Sequence, residues 1–129
     1  MKRLPTLEQA ERLQSINESY EIGDKIDVDG QQLPIFAYMD WDEDEESLSC
    51  YIKIPENDVK KLGLNPTDDV PIFDWSIDMD IDELMSHDGD KELFELIKND
   101  IIKENGRWNL DGAKYTKKEI EGFMRQYEV

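Results

Sequence analysis

The stretch KIDVDGQQLPIFAYMDW, residues 25–41, decides the fold because its apolar residues adopt the two-residue period of a β-strand. Ile26 and Val28 alternate with aspartates, and the dipeptide Asp29-Gly30 that follows suits a type I′ hairpin turn. The returning strand alternates as well, with Phe36 and Tyr38 on the face opposite Ala37, Met39 and Trp41. These features predict a β-hairpin.

A third strand is predicted from LSCYIKI, residues 48–54, where every second residue is apolar. The acidic run MDWDEDEESL, residues 39–48, then joins the second and third strands at the tip of another hairpin. A small antiparallel β-meander within about residues 25–54 is the simplest architecture for these strands.

Helical patterns flank the meander on both sides. From about Leu7 to Ser19, apolar residues recur near the helical period after a capping-box spacing between Thr6 and Gln9. From about residue 90 to 104, one apolar stripe follows an acidic start and ends before Gly106. We therefore expect an N-terminal helix and a long helix after the meander.

The last part of the chain is predicted to be a hairpin followed by a helix. Asp111-Gly112 supplies the turn signal, and Thr116 with Glu119 supplies a capping box ahead of an amphipathic segment. Together these elements predict an α+β protein with a single domain, residues 1–129.

Two segments between the meander and the long helix have weaker patterns. A short helix is expected around Asp58–Leu62. A strand is also expected over VPIFDWSIDMDIDEL, residues 70–84, because apolar residues alternate with aspartates in its second half, which would place Asp78, Asp80 and Asp82 on one face. Carboxylates about 6.6 Å apart on a strand cannot all bind one Mg²⁺ unless another element closes the site.

Charge is the strongest compositional signal, with a formal net charge of −17. Most of it lies in the middle of the chain, because residues 40–95 contain 19 acidic and 4 basic residues. The segments before and after it have more nearly equal numbers of acidic and basic residues. An acidic middle segment of this kind repels nucleic acids and anionic membranes and attracts basic surfaces.

The reactive side chains present in the sequence argue against an enzyme. Cys50 and His87 are the single cysteine and histidine, too few for a zinc site. A serine or cysteine nucleophile would have to use His87 as its base, and His87 is predicted to lie in a turn ahead of the long helix. DKIDVDG, residues 24–30, resembles the start of a calcium loop, but Lys25 and Phe36 stand where its first and last ligands would be. We predict no enzyme activity, no catalytic residue, no metal site and no cofactor, with divalent-cation binding kept as an alternative.

The sequence also allows a prediction of the cellular compartment. The N-terminal residues include Lys2 and Arg3 but no apolar run, so no signal peptide is expected. No stretch approaches the roughly 18 apolar residues of a membrane span, and a lone cysteine suits a reducing compartment. A cytoplasmic protein is predicted.

The acidic middle is predicted to bind the basic surface of a protein, such as a nuclease, rather than a nucleic acid or a membrane. The sharpest form of this hypothesis is a nucleic-acid mimic that inhibits a defence enzyme, of the anti-restriction or anti-CRISPR type. Its alternative is a generic regulatory or immunity-type module whose acidity mainly serves solvation. The residues predicted to contact the partner are Asp40, Trp41, Asp42, Glu43, Asp44, Glu45, Glu46, Asp74, Asp78, Asp80, Asp82 and Glu83.

Overall fold

The computed structural model describes residues 19–87 and 89–127, with the backbone alone of residue 127. In this part of the chain five strands form one sheet: β1 Ser19–Val28, β2 Gln31–Asp42, β3 Ser47–Ile54, β4 Val70–Asp78 and β5 Lys114–Tyr115. Their spatial order is β4-β3-β2-β1-β5. The first four are antiparallel to their neighbours, whereas β5 runs parallel to β1.

The same part of the chain contains four helices: α1 Glu56–Lys60, α2 Ile81–Met85, α3 Asp90–Asn105 and α4 Lys117–Tyr127. The α+β class predicted from the sequence is therefore confirmed. The N-terminal helix predicted from about Leu7 lies outside the described residues, apart from Ser19, which begins β1. No helix within the described ranges combines the length and apolar composition needed to cross a membrane.

One face of the sheet, called the inner face, packs against the helices to form the core. Ile26 on β1, Met39 on β2 and Ile52 on β3 lie on this face and are at most 1% exposed. From the other side, α3 contributes Leu93 and Ile97, which are fully buried and one helical turn apart. Burial of these side chains from water is the main stabilising contribution to the fold.

The turn between β1 and β2 explains why the opening stretch folds back on itself. Asp29 and Gly30 have positive φ angles of 52° and 89°, the conformation that a type I′ turn requires at both central positions. The Asp27 carboxylate accepts a hydrogen bond of 2.7 Å from the backbone N–H of Gly30. This aspartate therefore stabilises the hairpin turn.

The sheet is larger than the three strands predicted within residues 25–54. It begins at Ser19 and includes β4, the first part of the strand predicted over residues 70–84, which pairs with β3 from Val70 to Asp78. The sequence pattern of β1 is interrupted by a bulge between Glu21 and Lys25, which hides its strand period.

The hairpin predicted around Asp111-Gly112 is wrong, although a turn does occur there. The backbone N–H of Gly112 donates to the Lys25 carbonyl at 2.7 Å, and the Asp111 carboxylate accepts from the Lys25 N–H at 3.2 Å. These bonds join the turn to β1 instead of to a local partner strand. The two residues of β5 accordingly pair in parallel with Asp27 and Val28.

The strand predicted over residues 70–84 is also wrong beyond Asp78. β4 ends at Asp78, and the Asp80 carboxylate accepts a 2.8 Å hydrogen bond from the backbone N–H of Glu83. Asp80 is thus the N-cap of α2, a bond available only when the chain turns into a helix. Asp78, Asp80 and Asp82 consequently do not form one carboxylate row along a strand.

The core predicts a sharp contrast between neighbouring positions of α3. Ile97→Ala removes a fully buried side chain and should lower the free energy of unfolding by about 2–5 kcal/mol. Glu95→Ala changes an exposed position of the same helix and should stay within about 0.5 kcal/mol of wild type. Urea denaturation of both variants measures the difference, and equal losses would contradict the packing described here.

Candidate partner-binding surface

The face of the sheet opposite the core, called the outer face, is built by alternate residues of three adjacent strands. Residues directly opposite one another in an antiparallel pair point to the same side of the sheet. The pairing of β2 with β3 and of β3 with β4 therefore creates three rows: Asp42–Ser47–Asp78, Asp40–Ser49–Ser76 and Tyr38–Tyr51–Asp74.

Carboxylates lie on the two strands, β2 and β4, that flank β3 on this face. Asp40 and Asp42 stand on β2, Asp74 and Asp78 stand on β4, and all four side chains are exposed. Asp40 and Asp42 are about 6.7 Å apart along β2, and Asp74 and Asp78 are about 13 Å apart along β4. The two strands are about 9.6 Å apart because β3 lies between them. The register thus brings two pairs of acids, distant in sequence, onto one surface.

Small and aromatic residues of β3 separate the two carboxylate columns. The hydroxyl groups of Ser49 and Ser76 are hydrogen-bonded at 2.9 Å across the strands. The Lys53 ammonium lies over the Tyr38 ring, 4.6 Å from its centroid. Ser49, Tyr51 and Lys53 are not among the residues predicted from the sequence to contact a partner. The alternation in residues 48–54 nevertheless places all three on the face opposite the core.

The acidic turn continues the outer face at one end of the sheet. Asp42 Oδ1 accepts backbone hydrogen bonds from Asp44 at 2.8 Å and from Glu45 at 3.1 Å, which closes the turn. Glu46 takes the left-handed conformation, with φ of 49°, so that the chain can enter β3. The side chains from Asp42 to Glu46 are all exposed.

The segment after β4 is attached directly to this turn. The backbone N–H of Met79 donates to the Glu46 carbonyl at 2.9 Å, and the Trp41 indole N–H donates to the Met79 carbonyl at 2.8 Å. Two acidic stretches that are more than 30 residues apart in sequence therefore meet. Asp80 and Asp82 follow Met79 and are exposed.

Trp41 holds the two stretches together from the other side of the sheet. It pairs with Leu48, whose side chain is fully buried, so the indole belongs to the inner face. Trp41 itself is half-buried and its N–H is used internally. Its geometry gives it a positioning role, while direct contact with a partner stays a prediction.

The remaining predicted residues lie on α2. Asp82 and Glu83 occupy the first turn of this helix, where carboxylates interact favourably with the positive end of the helix dipole. Glu83 also lines a shallow groove between β4 and α3. These two acids adjoin the outer face instead of forming part of it.

The single cysteine and the single histidine lie in different environments. Cys50 is 1% exposed on the inner face, and burial raises the pKa of its thiol from 9.0 to about 12. His87 Nδ1 lies 2.9 Å from the Glu92 carboxylate at the start of α3. Within residues 19–87 and 89–127, no three Cys, His, Asp or Glu side chains converge so that they could hold a metal ion.

Comparison of the chain with protein-family models, with curated proteins and with solved structures gave no match.

The two roles of Asp42, as a charge and as the acceptor that closes the turn, can be separated by substitution. Asp42→Ala removes both and should destabilise the protein by about 1 kcal/mol, because two backbone N–H groups lose their acceptor. Asp42→Asn keeps a side-chain oxygen and should remain close to wild type. Thermal and urea denaturation of the pair measure this, and equal stability of the two variants would refute the structural role.

Proposed function

We propose that this protein is a non-enzymatic interaction protein whose outer face and acidic turn bind a basic surface of a partner protein. The observation behind the proposal is that exposed carboxylates of β2 and β4 share the outer face and that exposed carboxylates of the turn between β2 and β3 lie at the end of that face. A surface of this kind attracts a basic partner from a distance and repels nucleic acids.

The sharpest form of the proposal is mimicry of nucleic acid. From the row of Asp74 to the tip of the turn, the outer face extends over roughly 20 Å. Duplex DNA of that length has about 12 phosphates, of which about half face a protein bound on one side. The outer face and turn offer eight carboxylates: Asp40, Asp42, Glu43, Asp44, Glu45, Glu46, Asp74 and Asp78.

The separation of roles within the molecule supports the proposal. Mutual repulsion among the acids of the middle segment destabilises the fold, and solubility alone does not need such concentration on one face. Some of these acids have structural roles, since Asp42 closes the turn and Asp80 caps α2. Asp40, Asp74 and Asp78 have no such backbone bond among the described residues, which favours a role in binding.

Competition distinguishes mimicry from general acidity. The immobilised protein, used to capture proteins from a bacterial lysate, should retain a nucleic-acid-binding enzyme that added duplex DNA releases. A mimic and DNA occupy the same basic surface, so their binding must be mutually exclusive, and both should weaken steeply with salt. Retention of the captured enzyme at saturating DNA, or binding that is insensitive to salt, would contradict the proposal.

Neutralising the outer face tests which carboxylates take part. The triple variant Asp40→Asn, Asp74→Asn, Asp78→Asn should bind the captured enzyme about ten-fold more weakly or worse, because three ionic contacts are lost. Its melting temperature should equal or exceed that of wild type, since repulsion between the carboxylates is relieved.

The matched control changes the charge by the same amount at exposed positions elsewhere. Asp68→Asn, Glu95→Gln, Glu104→Gln should retain nearly the wild-type affinity, apart from the small effect of net charge. Calorimetric titration at two salt concentrations compares the three proteins. Equal losses in both triple variants would mean that total charge, and not the outer face, determines binding.

A further inference from the structure

β4 is one of the two terminal strands in the order of pairing, and among the described residues no strand pairs with its outer edge. Its hydrogen-bonding pattern follows from the bond between the Met79 N–H and the Glu46 carbonyl, which makes these two opposite residues a hydrogen-bonded pair. Hydrogen-bonded and non-hydrogen-bonded pairs alternate in an antiparallel ladder. The opposite pairs Ser47–Asp78, Ser49–Ser76 and Tyr51–Asp74 are therefore non-hydrogen-bonded.

This alternation directs the backbone of three β4 residues away from β3. The N–H and C=O groups of Asp74, Ser76 and Asp78 point toward the free edge, while those of Trp75 and Ile77 bond to β3. Among the described residues, no backbone hydrogen bond outside the ladder with β3 involves Val70–Asp78. Three donors and three acceptors thus form a row along this edge, without backbone partners among the described residues.

A groove runs beside this edge. It has a volume of about 480 Å³ and lies between the second half of β4 and one face of α3. Ile77 and Leu96 are its half-buried apolar residues, and Asp78, Glu83 and Asp100 outnumber Lys103 among its charged ones. A strand edge beside a helix, with apolar and charged positions between them, has the form of sites that bind extended peptides.

We propose that the β4 edge binds an extended basic segment of a partner polypeptide, which adds a sixth strand to the sheet. Main-chain hydrogen bonds to Asp74, Ser76 and Asp78 would fix the segment, and lysine or arginine at alternate positions would meet the carboxylates of the outer face. The choice of a basic segment rests on the proposed function, whereas the strand pairing rests on the backbone geometry of β4.

The charges on β4 also decide against a second copy of the chain as occupant. Antiparallel pairing of two β4 strands would bring Asp74 and Asp78 of one copy close to those of the other. Like charges opposite each other on paired strands are destabilising. Natural edge strands use charged side chains and proline to prevent such self-pairing, and Pro71 lies in the same strand.

The test uses the full-length protein and a seven-residue peptide, KVKTKVK, with blocked ends. Amide hydrogen exchange should report rapid exchange at Asp74, Ser76 and Asp78 without peptide, and about ten-fold slower exchange or more when it is bound. The same peptide with N-methyl groups at alternate positions and its acidic counterpart, EVETEVE, should give no protection. The first lacks the necessary donors and the second is repelled.

Two variants at one position separate the main chain from the side chain. Ser76→Pro removes the outward N–H without touching the ladder, a place where edge strands tolerate proline, and should bind KVKTKVK at least about ten-fold more weakly. Ser76→Ala removes the hydroxyl group but keeps the N–H, and should bind as wild type does. If Ser76→Pro does not fold, the N-methylated peptide decides the question on the wild-type protein.

Three outcomes would overturn the inference: equal binding by both Ser76 variants, peptide binding without protection of the three amides, and protection that rises with protein concentration in the absence of peptide. Binding without protection would mean attachment to the outer face by charge alone, which leaves the proposed function standing. Conversely, protection by KVKTKVK together with unaltered binding by the outer-face triple variant would support the strand pairing and contradict the proposed function.

Discussion

The antiparallel register of β3 between β2 and β4 is the constraint on which the rest of the structure depends. Side chains of a strand alternate between its two faces, so a slip of one residue exchanges the faces completely. In the observed register, Cys50 lies between Met39 and Trp75 on the inner face. A one-residue slip of β4 would bring Asp74 and Ser76 to the core and expose Trp75, which burial of apolar surface strongly opposes.

The same register also determines the acidic outer face and the backbone groups at the edge of β4. Once the inner face is fixed, Asp40, Asp42, Asp74 and Asp78 have no position except the outer face. The non-hydrogen-bonded pairs of β3 and β4 have their side chains on that face, so two of the three β4 residues whose backbone groups point to the edge are Asp74 and Asp78. Core packing, the acidic surface and the open edge are therefore consequences of one pairing scheme.

Local signals predicted local structure well, whereas partners distant in sequence could not be predicted. The capping box is confirmed, because Thr116 Oγ1 accepts from the Glu119 N–H and Glu119 Oε1 accepts from the Thr116 N–H, both at 3.1 Å. The sequence predicts the turn at Asp111-Gly112. The bonds from this turn to Lys25, however, depend on a strand 86 residues away. Nothing near the turn in sequence signals that pairing.

For the candidate surface, too, the sequence indicates the acidic segments but not which of them meet in the fold. Acid content alone pointed to the turn and to the segment after β4, and the meeting of these two stretches arises from the Met79–Glu46 bond. The alternation through Ile77, Met79 and Ile81 suggested a continuous strand, since a two-residue period does not reveal a cap. Capping of the Glu83 N–H by Asp80 ends that pattern and turns the chain into α2.

Nuclear Overhauser contacts between α protons are the most direct measurement of the β3–β4 register. Non-hydrogen-bonded antiparallel pairs bring Cα atoms to about 4.5 Å, close enough for strong contacts between their α protons. We expect such contacts between Ser49 and Ser76 and between Ser47 and Asp78. Contacts displaced by one residue, from Ser49 to Trp75 or to Ile77, would contradict this register.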